Sequence, residues 1–127
     1  MIATGTLDPL VLWGGGRIAG NRGESRSVAD TVAWWVGANN ASAQVRGTVQ
    51  LPERDPNDGC TIEPREHAAG AGGAPVVAYT MNGGGHNLPS AQYATPDTWP
   101  VRRCIGPVCR DLEGPGLAWE FLSSHRR

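Results

Sequence analysis

Lysine is absent from this sequence: all eleven basic residues are arginine, and no arginine cluster is longer than two. The formal net charge is -1, so composition gives no electrostatic basis for binding nucleic acid or an anionic membrane. No apolar run approaches the roughly 18 residues of a membrane span. The first five residues lack the basic start and apolar core of a signal peptide. Neither a nucleic-acid partner nor a membrane association is therefore predicted.

Cysteine is also scarce, with three in the chain. Cys104 and Cys109 are close enough in sequence to close a small loop, which would leave Cys60 as a lone thiol. A zinc site is disfavoured, because this C-x₄-C spacing lacks a second ligand pair nearby. We predict no metal and no cofactor.

The length of 127 residues fits one domain, and 18 glycines and 10 prolines indicate long irregular connections. Residues 2–4 read as the last part of a strand. Ser27 is placed to cap a helix over about 28–38, whose valines form one apolar stripe. A buried strand is predicted at 76–80, and a final helix opens at 114–116, with Leu117, Ala118, Phe121, Leu122 and His125 on its inner face.

Two segments give weaker signals. Residues 45–51 alternate between apolar and polar side chains, as in a short edge strand or an extended loop. Residues 61–67 are predicted to pair weakly at a sheet edge, because Pro64 argues against a central position, and His67 is then a solvated residue. Residues 87–113 read as one long loop. Trp99 within it either lines a substrate cleft or anchors the loop.

The order of elements is strand end, loop, helix, loop, strand, loop, helix. This alternation is typical of α/β domains, in which parallel strands are covered by helices. Two strands do not make a stable sheet alone. We therefore expect 1–127 to be the C-terminal part of a larger α/β domain, truncated at its N-terminus.

Asp8 and His86 each follow a predicted strand end. In a parallel sheet both would lie on the edge where open α/β folds place their active sites. A carboxylate that orients an imidazole makes up two-thirds of a nucleophilic triad. The two residues are therefore the predicted catalytic pair.

Four motifs occur in a familiar order: Gly5-Thr6-Leu7-Asp8-Pro9 with the glycines at 14–16, the helix start at 27–35, Gly83-Gly84-Gly85-His86, and Ala118-Trp119-Glu120-Phe121. Together they resemble the C-terminal portion of the polyhydroxybutyrate depolymerase-like esterases, which include feruloyl and acetylxylan esterase relatives. The likeness covers nearly the whole chain and is weakest over 90–113. It implies a secreted serine esterase with an α/β-hydrolase fold, a mostly parallel sheet with flanking helices, in which Asp8 is the triad acid and His86 the triad histidine.

Two of the departures of this chain from the family bear on its function. Asn87-Leu88 stands where the family has Thr-Trp. The resemblance therefore implies that Asn87 and Leu88 belong to the substrate pocket. It leaves three substrate classes open: a polyester, a feruloyl ester or a small acyl ester. No serine lies in a G-x-S-x-G motif, so the nucleophile and the missing N-terminal half of the domain are expected upstream. The alternative is a non-catalytic remnant or a binding module that retains part of the fold.

Overall fold

The structure, a computed structural model, describes residues 1–47, 50–92, 96 and 98–125. Its elements in chain order are β1 (Ile2–Gly5), β2 (Gly16–Arg17), β3 (Glu24–Ser25), α1 (Val28–Ala38), β4 (Ala41–Arg46), β5 (Thr61–Ala69), β6 (Val76–Asn82), α2 (Trp99–Ile105) and α3 (Gly114–Ser124). None of the helices in these ranges combines the length and apolar character needed to cross a membrane.

Four strands form one mixed sheet in the order β1-β6-β5-β4. β1 and β6 are parallel, with Ile2 opposite Ala78 and Gly5 opposite Met81. β5 runs antiparallel to both β6 and β4. The prediction of an α/β-hydrolase fold with a mostly parallel sheet is therefore wrong. It failed because the chain between α1 and β6 forms two antiparallel strands, β4 and β5, which can be joined without the helical crossovers that parallel strands need.

β5 is a central strand, against the prediction of weak pairing at an edge. It pairs with β6 along Thr61 to His67, and Pro64 lies opposite Tyr79. Its register with β4 includes Glu66, His67 and Ala69 but not Pro64. A proline is tolerated at this point because no β4 residue in that register requires its missing N–H.

The two parallel strands agree with the sequence signals. The strand predicted at 76–80 is confirmed as part of β6, where Val76, Ala78 and Met81 are buried. The β-branched residues of this run favour a pleated conformation. The strand end predicted at 2–4 is confirmed as β1. The carboxyl ends of β1 and β6 consequently open onto the same edge of the sheet.

The first helix is confirmed over Val28–Ala38, and the Ser27 side chain accepts the N–H of Asp30 at 3.0 Å. This capping bond satisfies a donor that the first helical turn leaves free. However, α1 has no buried residue, and Trp34 and Trp35 are 53% and 43% exposed.

The C-terminal third differs from its prediction in two respects. The segment 87–113 is not one loop, because it contains α2. Leu122 of α3 is 65% exposed and His125 at the end of the helix is also exposed, so their assignment to the inner face of that helix is wrong. The other three predicted inner-face residues, Leu117, Ala118 and Phe121, are partly buried.

The core lies behind the edge where β1 and β6 end. Its buried members are Cys60, Ile62, Met81 and Cys109. Cys60 and Cys109 form a disulfide across 49 residues, and Cys104 is a free, exposed thiol on α2. The predicted Cys104–Cys109 pair with a lone Cys60 is therefore wrong, because α2 directs Cys104 to solvent while the start of β5 brings Cys60 next to Cys109.

Candidate functional site

Asp8 lies in the turn that follows β1 and is 9% exposed. Its Oδ1 atom accepts the backbone N–H groups of Leu10 at 2.8 Å and Val11 at 2.9 Å. Local turns of this kind are typical of aspartate, whose short side chain can reach the backbone just after it. Two donors on one oxygen hold the carboxylate in one orientation and leave Oδ2 for another partner.

That partner is His86, whose Nδ1 lies 2.7 Å from Oδ2 of Asp8. A carboxylate accepts but does not donate, so Nδ1 holds the proton in this bond and Nε2 of the neutral ring is left as an acceptor. The side chain of His86 is 48% exposed and that of Asp8 is 8% exposed. A buried acid thus orients an accessible base.

The loop before His86 is joined to the β1 turn by backbone contacts. The N–H of Gly83, at φ +84°, donates to Oγ1 of Thr6 at 2.9 Å, and the N–H of Leu7 donates to the Gly84 carbonyl at 2.9 Å. Positive φ at residue 83 favours glycine. A Cβ atom at Gly5 would collide with the carbonyl oxygens of Gly84 and Gly85. These glycines allow the two strand ends to approach closely enough for the Asp8–His86 bond.

The other side of the loop is fixed by the segment after α2. The N–H of Gly85 donates to the Pro107 carbonyl at 2.8 Å, and that of His86 donates to Ile105. The Asn87 side chain donates to the same Pro107 carbonyl at 2.8 Å and accepts the N–H of Cys109 at 3.4 Å. Asn87, predicted to bind substrate, thus has both ends of its amide engaged in bracing the loop.

A cleft of about 340 Å³ opens beside the imidazole, and its lining residues are Ala3, Thr4, Gly5, Asp8, Met81, Gly85, His86, Asn87 and Leu88. Leu88 is 47% exposed and presents an apolar surface next to the base. The structure therefore brings together four of the five predicted site residues.

Trp99 is the fifth, and it is not among the lining residues of that cleft. It stands at the start of α2 and is 72% exposed. The Arg103 guanidinium lies 5.6 Å from its ring centroid, the arrangement of a cation–π contact. The prediction that Trp99 lines the cleft is not supported by this placement.

In the described part of the chain, none of the six serine hydroxyls bonds to the imidazole of His86. Ser90, the nearest in sequence, donates to the Glu113 carboxylate at 2.7 Å. Ser25 reaches the Gly16 carbonyl at 3.4 Å, and Ser27 donates to Asp30 at 2.6 Å. The pair thus lacks a serine nucleophile within these residues.

Sequence reasoning missed the carboxylates that support the site from behind. Asp58, 5% exposed, accepts the N–H groups of Cys60 and Arg110, each at 2.7 Å. Glu113 accepts from Ser90 and from the N–H groups of Ala91 and Gln92. The Ser90 bond, followed by these backbone bonds, holds the pKa of Glu113 below its ordinary value. The turn at 57–59 was a signal for Asp58, but nothing local marked Glu113.

A second cleft, of about 580 Å³, lies between α1 and the sheet. Its walls include Val28, Val32 and Val36 of the helix stripe and Ala78 of β6. His67 also faces this cleft, is 7% exposed and lies with Nδ1 2.9 Å from the Ser42 carbonyl. Its prediction as a solvated residue is wrong, because β5 is central instead of peripheral.

Comparisons with known proteins give no family for this chain: no protein-family model, no curated protein and no solved structure matches it.

Proposed function

We propose that Asp8 and His86 are the acid and the base of a carboxylic ester hydrolase whose nucleophile is a serine outside this sequence. The observation that supports the proposal is the 2.7 Å contact between Nδ1 of His86 and Oδ2 of Asp8, with the acid buried and the base open to a cleft. The ordered motifs that resemble depolymerase-like esterases favour ester hydrolysis over other uses of such a pair. Secretion is a further expectation that rests on the same resemblance.

In this mechanism Nε2 of His86 takes the proton of the serine hydroxyl as the oxygen attacks the ester carbonyl. The protonated imidazole then gives that proton to the departing alcohol, and water repeats the sequence on the acyl-serine. Asp8 keeps the proton on Nδ1 and stabilises the imidazolium. Because Leu10 and Val11 hold Oδ1 of Asp8, the carboxylate does not need to reorganise during the reaction.

The cleft bears on the kind of substrate. Leu88, half-exposed next to His86, offers an apolar wall to an acyl chain or an alcohol group. Small residues such as Ala3 and Gly5 also line the cleft. A polyester, a feruloyl ester and a small acyl ester all remain within this proposal.

The test has two parts. The 127-residue chain should fold and show no turnover of p-nitrophenyl acetate or butyrate, since loss of a triad nucleophile costs about 10⁶-fold in kcat. The reading frame upstream of Met1 should encode a G-x-S-x-G motif, and the extended chain should be active. In it, His86→Ala should lower kcat by about 10⁶-fold and Asp8→Ala by about 10⁴-fold, while His125→Ala is the matched control.

Turnover by the isolated chain would contradict the proposal. So would an extended chain whose kcat is unchanged by His86→Ala. A folded extended chain with no turnover would favour the non-catalytic binding module instead.

A further inference from the structure

His67 is a largely buried side chain that the proposed mechanism does not use. It lies on β5, opposite Val76 of β6 and Val45 of β4, and is 7% exposed. Its Nδ1 atom lies 2.9 Å from the Ser42 carbonyl oxygen. A carbonyl oxygen only accepts, so Nδ1 carries the proton and Nε2 of the neutral ring is left as an acceptor.

This second ring nitrogen has no hydrogen-bond partner among the residues that the structure describes, where the bond to Ser42 is the one contact of the imidazole. The ring lines the cleft of about 580 Å³ beneath α1. An acceptor on a largely buried side chain is costly to leave without a donor. The cleft is the space from which a donor can reach it.

Most of the cleft wall is apolar. Val28, Val32 and Val36 line it from the helix and Ala78 lines it from the sheet, and the three valines are only half-buried. Trp13 also lines the cleft, and its carbonyl accepts the N–H of Val28 at 3.0 Å. Small-molecule sites are clefts of roughly 300–1,000 Å³ with mainly apolar walls and a few polar groups, and this cleft has both properties.

The charge beside the cleft favours a neutral ligand. Arg65 is among the lining residues, but its Nε donates to Oε1 of Glu63 at 3.0 Å. An anionic ligand would therefore meet a carboxylate together with the guanidinium, and it would lose its hydration in a mainly apolar space, which is costly. A neutral ligand does not carry this cost.

We infer that the cleft beneath α1 binds a neutral apolar alcohol or phenol whose hydroxyl group donates to Nε2 of His67. The hydroxyl group supplies the missing donor, and the apolar body of the ligand covers the valines of α1. A hydrocarbon would bring no donor, and a carboxylate would bring only acceptors to a nitrogen that accepts. This inference does not involve Asp8 or His86 and stands without the proposed ester hydrolysis.

The experiment compares 2-naphthol, naphthalene and 2-naphthoate, which share one ring system and differ in the polar group. NMR titration of the isotope-labelled wild-type chain follows the ring nitrogens of His67 and the valine methyl groups of α1. We expect 2-naphthol to saturate one site, to shift both sets of signals and to bind at least about tenfold more tightly than 2-naphthoate, a difference of one charge-free hydrogen bond or more. Naphthalene should shift the methyl signals and leave Nε2 of His67 unchanged.

Two variants locate the site. His67→Phe keeps a ring of similar size and removes the acceptor, so 2-naphthol should bind about tenfold more weakly, while the affinity for naphthalene should change less than about twofold. Val32→Trp fills the cleft from the helix without touching the bond between His67 and Ser42, and it should abolish the binding of 2-naphthol.

His86→Phe is the matched control for binding, because its imidazole is an accessible acceptor beside the other cleft, and the affinity for 2-naphthol should stay the same. A loss of affinity in this variant would place the ligand beside His86 and overturn the inference. Equal affinities of the three compounds would overturn it too, as would full binding in Val32→Trp. The wild-type spectra decide the matter even if a variant fails to fold: saturation with 2-naphthol that leaves Nε2 of His67 unmoved would mean that water alone satisfies this nitrogen.

Discussion

The loops around His86 and the face beneath α1 are stabilised in different ways. Around His86, side-chain and backbone bonds from residues far apart in sequence meet within one small region, and a disulfide across 49 residues lies directly behind it. Beneath α1, contact is made by half-buried valines that leave a cleft of about 580 Å³. The helix has no buried residue.

This contrast shows where rigidity is concentrated. Polar and covalent links have defined directions, so they hold the imidazole and the carboxylate in one geometry. Apolar contact is non-directional, and the directional bonds of α1 lie at its two ends, where the N–H of Val28 donates to the Trp13 carbonyl and the N–H of Ala74 donates to the Asn39 carbonyl. We therefore expect stability to depend on the cross-linked region far more than on α1.

The largest effect is expected from removing the disulfide. Closing a 49-residue loop stabilises the folded state by about 4 kcal/mol in the chain-entropy treatment. Cys60→Ser/Cys109→Ser should therefore lower the free energy of unfolding by about that amount in denaturant titration. Cys104→Ser, at an exposed thiol, should change it by less than about 0.5 kcal/mol. Thiol titration of unfolded, unreduced wild type should find one free thiol, and three would contradict the pairing.

Truncation on the two sides of the sheet compares the regions directly. Ile62 is 0% exposed in the core, so Ile62→Ala should cost about 2–5 kcal/mol of unfolding free energy. Val32→Ala, on the helix face that lines the large cleft, should cost less than about 1 kcal/mol, because the cleft already leaves this side chain part of its exposure. Equal losses in chemical denaturation would mean that α1 is as firmly packed as the core.

The contact between Asp8 and His86 could be predicted from the sequence, whereas the arrangement of the strands could not. Asp8 and His86 were paired from one local argument, that each follows a strand end, and this needed only β1 and β6 to be parallel. The helix at 28–38 followed from Ser27 and the valine stripe, which are short-range signals. Both inferences start from signals between residues close together in the chain, and the Asp8–His86 pairing needs in addition that β1 and β6 are neighbours in the sheet.

The errors depend on contacts distant in sequence. Residues 70–75 return β5 against β6, with the N–H of Gly73 donating to the Gly70 carbonyl at 3.0 Å, and the expected alternation of strand and helix did not contain this antiparallel pairing. Pro64 predicts an edge strand, because the sequence does not show that β4 pairs with β5 only at residues beyond Pro64. Cys60 and Cys109 are 49 residues apart, and spacing alone does not show which two of three cysteines meet.

An effect of intermediate size on the free energy of unfolding is expected when Asp8 and His86 are replaced one at a time. Asp8→Ala leaves the N–H groups of Leu10 and Val11 without their acceptor, so it should lower the free energy of unfolding by about 1–3 kcal/mol. His86→Ala removes a half-exposed ring and should cost less than about 1 kcal/mol. Denaturant titration of both variants gives the comparison. A His86→Ala loss as large as that of Asp8→Ala would mean that the imidazole, instead of the carboxylate, organises the turn.

The smallest effect is a pH dependence at Glu113, which accepts from Ser90, Ala91 and Gln92 at the start of the 90–113 segment. Its pKa lies below the ordinary value of 4.5 in the folded chain, mainly through the Ser90 bond. A lowered folded pKa means that the unfolded chain takes up the proton first, so Glu113 stabilises the fold above about pH 4.5, and this contribution is lost as the pH falls through the folded pKa. Glu113→Gln should therefore be less stable than wild type at pH 7, and the difference should shrink below pH 4.5.

The matched variant Glu120→Gln, on the exposed side of α3, should show no such convergence in urea titrations across the same pH range. A charge-dependent bond to Ser90 must weaken when the Glu113 carboxylate that accepts it is protonated. If the difference in unfolding free energy between wild type and Glu113→Gln stayed constant down to pH 3, the effect would come from the shape of the side chain and not from its charge.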